Sequence, residues 1–196
     1  MDDKIKEKIR RLREQYGIPT AKKGVPLFRP GVDEPCMATV YPSDNIRASG
    51  FKNAADKLVD IALKNPGCGD YLVYSIVYLY RMYIELRLKT IIESAKHIYR
   101  KGHKLEKLWK EAKLVMKNSS QWFDDQELEA VEEKIEEFCK IDPSSDAWRY
   151  SRDYDGDPTL ETIQTVDLKH LMQVIDSIST SLEGSYTAIF EDRQGE

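Results

Sequence analysis

Apolar residues recur with the period of an α-helix in several stretches of this chain, and one stretch is apolar on every side. Between Tyr71 and Ile84 only Ser75 and Arg81 are neither apolar nor aromatic, and no Gly or Pro interrupts the run. A helix without a polar face has to be buried all round. The segment therefore predicts a central helix, capped by Asp70, running to about Arg100 and stopped by Lys101-Gly102. From Glu85 onward the apolar positions narrow to Leu88, Ile91, Ile92, Ala95, Ile98 and Tyr99, which predicts one wet face.

The other periodic stretches arrange themselves around that rod. In residues 2–16, Ile5, Ile9, Leu12 and Tyr16 share one face, and Lys4, Lys6, Lys8, Arg10, Arg11 and Arg13 occupy the others. Ser43 or Asp44 caps a helix that reaches Lys64 and stops at Asn65-Pro66-Gly67. His103 opens the next helix, which turns Leu105, Leu108, Trp109, Ala112, Val115 and Met116 inward. A fifth helix spans Asp124–Lys140 on Leu128, Val131, Ile135 and Phe138. Asp167 caps the last, with Leu171, Ile175, Ile178, Leu182 and either Ile189 or Phe190 inward and Gly184 as a point of kinking.

Two stretches lack any period. Gly17 to Pro42 holds five of the eight prolines and reads as an extended connection, with a short strand near Met37–Tyr41. Ile141 to Leu160 is rich in Asp, Pro, Ser and Gly and reads as a long loop. The resulting expectation is an all-α protein: residues 1–42 form an amphipathic helix and a Pro-rich connection, and 43–196 form a bundle of about five to six helices around a buried central one.

Bulk composition narrows the classes. The chain has 196 residues, 41% hydrophobic and 33% charged, with a net charge of −4, so there is no global attraction to nucleic acid. Cys36, Cys68 and Cys139 form no CxxC pair and no zinc-ligand spacing, and read as reduced thiols of a cytoplasmic protein. The apolar run from Tyr71 is shorter than the ~20 residues of a membrane span, and Arg81, Glu85, Arg87 and Lys89 break it. The opening MDDKIKEKIRRL carries charge where a signal peptide needs an apolar core. No membrane association, cofactor or metal is expected.

Charge is unevenly placed. From Lys96 to Lys117, seven Lys and one Arg face two Glu, a balance of +6; from Asp124 to Asp146, ten acidic residues face two Lys, a balance of −8. Two readings follow. The two helices attract one another as an antiparallel pair, or Lys107, Lys110 and Lys113 face solvent, with Lys117, and track a phosphate backbone.

Candidate chemistry is sparse. Glu85 stands in the most apolar stretch, with Arg81 four residues before it and Lys89 four after. It is either a paired structural carboxylate or an acid–base group. His103, after a glycine at a helix start, is either a turn residue or a site residue. In DPSSDAWRYSRDYDGDP, Trp148, Tyr150 and Tyr154 alternate with Arg149 and Arg152 among aspartates, a pattern equally suited to packing and to ligand contact. The aspartate order is wrong for a calcium loop. Glycine-rich phosphate loops, GxSxG and HExxH are all missing from the sequence.

The helix carrying YIELRLKTII, then GHKLEKLW, then DPSSDAWRYSRD before a last helix opening with VDL, resembles the HEPN superfamily of helical domains, and more closely its bacterial and phage-associated members of unassigned role. The likeness spans roughly Asn45 to Phe190. It implies a helical bundle that acts as a homodimer and binds RNA or a protein partner, in stress, toxin–antitoxin or phage-defence settings. Active members carry an Arg and a His separated by four to six residues and cleave RNA without a metal. Here Arg100 and His103 have two residues between them, Arg87 and His97 nine, and Arg152 and His170 seventeen, so the motif is missing. The resemblance thus implies a non-catalytic binding module. The alternatives are a divergent metal-independent endoribonuclease with Arg149 and His103 as catalytic residues, or a protein-only regulatory subunit. Tyr150, Arg152, Glu85, Lys89, Lys107, Lys110 and Lys113 are the expected binding residues.

Overall fold

A computed structural model describes residues 2–19, 21, 23–25, 27–28, 38–65, 67–96, 101–119 and 125–194. The described residues form six helices and no strand: α1 Asp3–Gln15, α2 Asp44–Lys64, α3 Gly69–Lys96, α4 Leu105–Ser119, α5 Asp125–Ile141 and α6 Leu168–Gln194. The architecture is the all-α helical bundle that the periodicity predicts. The chain divides into two units, Met1–Val40 and Tyr41–Glu196.

In the first unit, Asp2 caps α1 by accepting from the Lys4 N–H, and ion pairs such as Arg10 with Glu7 and Glu14 lace its surface. The connection that follows shows no strand at 38–41, and Met37 and Cys36 lie outside the described residues.

The second unit is built on α3, which packs on α2, α4 and α6, while α5 leans on α4 and α6. Local capping sets the ends. The Ser43 hydroxyl accepts from the Ile46 N–H, and Asp167 accepts from the His170 N–H. α6 runs unbroken through Gly184. The expected end of α3 near Arg100 falls outside the described residues.

Burial along α3 corrects the sequence reading. Tyr71 and Tyr74, in the supposedly enclosed half, are more than half exposed, whereas every residue from 83 to 92 is buried. The wet face expected after Glu85 does not exist there. Arg81, Glu85, Arg87, Lys89 and Thr90 are all inside. Helical wheels treat such residues as solvent-facing because the pattern cannot show that each has a partner waiting on another helix. Among the described residues, no helix is long and apolar enough to cross a membrane.

Candidate functional site

Buried charge has to be paired, and α3 pairs its charges in two clusters. In the first, Glu85 receives three cationic or polar groups. Arg81 Nη1 donates to its Oε2 at 3.0 Å, Lys89 Nζ donates to its Oε1 at 2.8 Å, and His103 Nδ1 lies 2.8 Å from the same Oε1. The i±4 spacing places Arg81 and Lys89 on either side of Glu85 along one helix face. Burial works against ionisation of Glu85, but the hydrogen bonds from Lys89, His103 and Arg81 outweigh it and hold the carboxyl below its ordinary value. An ionised carboxylate only accepts, so the His103 Nδ1 bears the proton. The opposite ring nitrogen is left on an imidazole that is 70% exposed.

Arg81 extends the cluster in two directions. Its Nη2 donates to the His103 carbonyl at 2.9 Å, fixing the turn that leads into α4. Its Nε faces Asp142 Oδ2 at 3.3 Å as an ion pair, without the alignment of a hydrogen bond. The other Asp142 oxygen accepts from the Asp146 and Ala147 N–H groups at 2.8 and 3.0 Å and so shapes the turn after α5. Arg149 continues that turn. Its guanidinium pairs with Asp146, donates from Nε to the Ser145 carbonyl, and lies over the rings of Tyr78 and Tyr150 at 5.7 and 5.3 Å.

His103 and the Trp148–Arg152 segment therefore meet α3 along one face, at Glu85 and Tyr78. At 1.5 Å per residue these anchors stand ~10 Å apart. The meeting place is the middle of the helix and not its far end, because Arg81, between the anchors, reaches both connecting turns.

The remaining expected residues fall elsewhere. Lys113 is ion-paired with Glu132, and Lys117 with Asp125 at 2.5 Å, so the charge asymmetry does join α4 to α5. Lys110 is exposed and pairs with Glu106 on its own helix, and Lys107 is exposed. Lys89 is 4% exposed and its ammonium group is engaged by Glu85. Arg152 donates to the Gly156 carbonyl and closes a small turn that the Arg152–Pro158 bridge completes. The aspartates of this loop serve the same turn, as Asp153 accepts from the Asp155 and Asp157 N–H groups at 3.0 and 2.9 Å. Among the described residues, no group of His, Cys, Asp and Glu could hold a metal ion. Cys68 and Cys139 are free thiols.

Two residues that the sequence reading did not assign are central here. Asp142 links α3 to the Arg149 turn; its only local signal is the Asp-Pro step after a helix. Arg87 centres the second cluster. It is 1% exposed, donates to Asn45 Oδ1 at 2.5 Å, pairs with Glu183 at 2.9 Å and lies 5.1 Å over the Tyr186 ring. The Tyr83 hydroxyl beside it donates to Glu183 Oε1 and accepts from the Ser179 hydroxyl. No local pattern marks Arg87, since all these partners are distant in sequence.

No protein-family model matches this chain, and neither curated proteins nor solved structures provide a match.

Proposed function

We propose that the chain is a HEPN-like helical module that pairs with a second copy and binds single-stranded RNA across the face carrying His103, Arg149 and Tyr150. The carrying observation is the dual reach of Arg81, which ties the His103 turn and, through Asp142, the Arg149 turn to one face of α3. The Arg149 guanidinium is partly exposed and held by Asp146, so a phosphate would have to compete with that carboxylate for it, while Tyr150, 58% exposed, offers a ring on which a base can stack. The pairing of Lys113 and Lys117 with α5 supports a binding face away from the hairpin seam.

Retention of a labelled single-stranded RNA on a filter, measured against salt, tests this reading. Binding should weaken as salt rises and fall at least tenfold with Arg149→Ala plus Tyr150→Ala, while sedimentation reports a dimer. RNA retention that ignores salt and the double substitution would rule it out.

The His103–Glu85 contact favours a second reading, a metal-independent endoribonuclease. A carboxylate on Nδ1 fixes the tautomer and leaves the other nitrogen to take a proton from a ribose 2′-hydroxyl, and Arg149 would steady the developing phosphate charge. RNA cleavage in EDTA, lost in His103→Ala, would support it. Intact RNA, or cleavage indifferent to that change, would end it.

A further inference from the structure

Both ends of α1 are fixed by local bonds. Asp2 caps its start. At its end Gly17, at φ 59, turns the chain so that the Gly17 and Ile18 N–H groups donate to the Glu14 and Arg13 carbonyls at 3.4 and 2.9 Å. That pair of bonds closes a helix on a left-handed glycine. The helix so delimited has 13 residues and none of them is buried. Its apolar side chains Ile5, Ile9, Leu12 and Tyr16 are between 37% and 68% exposed. A helix of this length is marginal in water unless something packs on it.

The four apolar side chains are spaced four, three and four residues apart. At 3.6 residues per turn they fall within ~60° of arc. That is the narrow seam of a helix packed on one other helix, not the broad stripe of a helix lying on a core. Charge around the seam is sorted by sign. Asp3, Glu7 and Glu14 lie on the opposite side, within ~40° of one another, and are taken up there by Lys6, Arg10 and Arg11 at 2.9–3.3 Å. The flanks of the seam are basic. Lys8 stands on one, and Lys6 and Arg13 on the other, all exposed. In helix pairs these flanking positions choose the partner.

We infer that α1 is a docking helix for an acidic helix of another protein, one with apolar residues at the same four-three spacing and Glu or Asp on both sides of them. Ile5, Ile9, Leu12 and Tyr16 interdigitate with that apolar row, while Lys6, Lys8 and Arg13 meet the carboxylates. A second copy of α1 does not fit, because parallel pairing sets Lys8 of one copy beside Arg13 of the other. A bilayer is a poor match as well. Lipid binding scales with apolar area, and this seam offers four side chains with neither Trp nor Phe. The inference stands apart from RNA binding by the His103–Arg149 face.

Two synthetic peptides probe the full-length chain: four repeats of EIAALEK and four of KIAALKE, which share an apolar seam and flank it with Glu or with Lys. In nitrogen–proton NMR, the Glu-flanked peptide should shift the amide signals of residues 3–18 saturably and slow their exchange with solvent. It should bind at least about tenfold more tightly than the Lys-flanked one, a margin that shrinks as salt rises. Lys6→Glu, Lys8→Glu and Arg13→Glu together should invert the preference, and Ile9→Asp with Leu12→Asp should abolish both interactions. Equal binding of the two peptides, shifts that spare residues 3–18, or no shift at ~1 mM peptide would overturn the inference. So would retention on phosphatidylserine vesicles, or self-association, that disappears with Ile9→Asp and Leu12→Asp, since the seam would then belong to lipid or to a second copy. The comparison of the two peptides uses the unsubstituted chain and decides the matter even where a substitution melts α1.

Discussion

His103 Nδ1 lies 2.8 Å from Glu85 Oε1, so an imidazole that is 70% exposed rests on a carboxylate that is 1% exposed. The contact joins solvent to the buried charge cluster of Arg81, Glu85 and Lys89. Its physical consequences are separable, and each can be measured.

Glu85→Gln removes the anion shared by Arg81 and Lys89 and, of the two cations, leaves Arg81 with its ion pair to Asp142. Breaking a buried pair by neutralising one partner costs about 3–5 kcal/mol. Urea denaturation should show a loss of that size. A loss below about 1 kcal/mol would mean that the cluster is more hydrated than its burial implies.

The same carboxyl dictates the acid limb of stability. Its folded-state value is lowered, against an unfolded value near ~4.3. A lowered value contributes stability that is fully present above the unfolded pKa and is lost as pH falls through the folded one. The stability gap between the natural protein and Glu85→Gln should therefore stay constant from neutral pH to about pH 5 and close below ~4. Denaturation midpoints across that range check it; a gap that widens on acidification would contradict the pairing.

At high pH the sign reverses. Burial, with a hydrogen bond to Asp56 at 2.7 Å, raises the Tyr80 hydroxyl well above the ordinary tyrosine value. Burial also raises Tyr83, with the Ser179 hydroxyl working against the rise and Glu183 adding to it. Groups with raised values contribute stability that is complete below the unfolded pKa of ~10 and fades above it. Thermal midpoints should hold to about pH 9.5 and then drop, more steeply for the natural protein than for Tyr80→Phe. Equal declines in both would show that the Tyr80 hydroxyl has no part in it.

Across the α4–α5 seam, Lys113 and Glu132 are both partly buried and joined by a short ion pair. Lys113→Glu should cost about 1 kcal/mol, and adding Glu132→Lys should restore most of it. Because the Lys113 charge is already compensated, Lys113→Gln should change RNA retention by less than about twofold. Thermal melts of the single and double variants, beside filter retention of RNA, test both expectations. A tenfold loss of retention would return α4 to the binding face.

Local chemistry settled the elements. Ser43 and Asp167 cap their helices through hydrogen bonds to N–H groups three residues away, so α2 and α6 begin where the sequence places them. The inward stripes of α4 and α5, Trp109 and Ile135 among them, are likewise buried as their spacing requires. The opposite charges of those helices allowed their pairing as one of two readings, since attraction between neighbours follows from composition and a short connection, and the ion pairs Lys113–Glu132 and Lys117–Asp125 realise it. The loop after α5 was legible only as a loop. Its aspartates are in the wrong order for an ion-binding loop, and geometry alone reveals that Asp142 and Asp153 accept from backbone N–H groups.

By itself, then, the sequence determined the helices, their order and the all-α class, because these depend on spacing and on contacts within a turn or two. Only the tertiary structure decided that Glu85, Arg87 and Lys89 lie inside. Their fate rests on His103, Asp142, Asn45 and Glu183, which the folded chain brings from other segments. The i±4 spacing of Arg81, Glu85 and Lys89 is the same on a wet face as on a buried one, and desolvation discriminates between them only once those distant partners arrive.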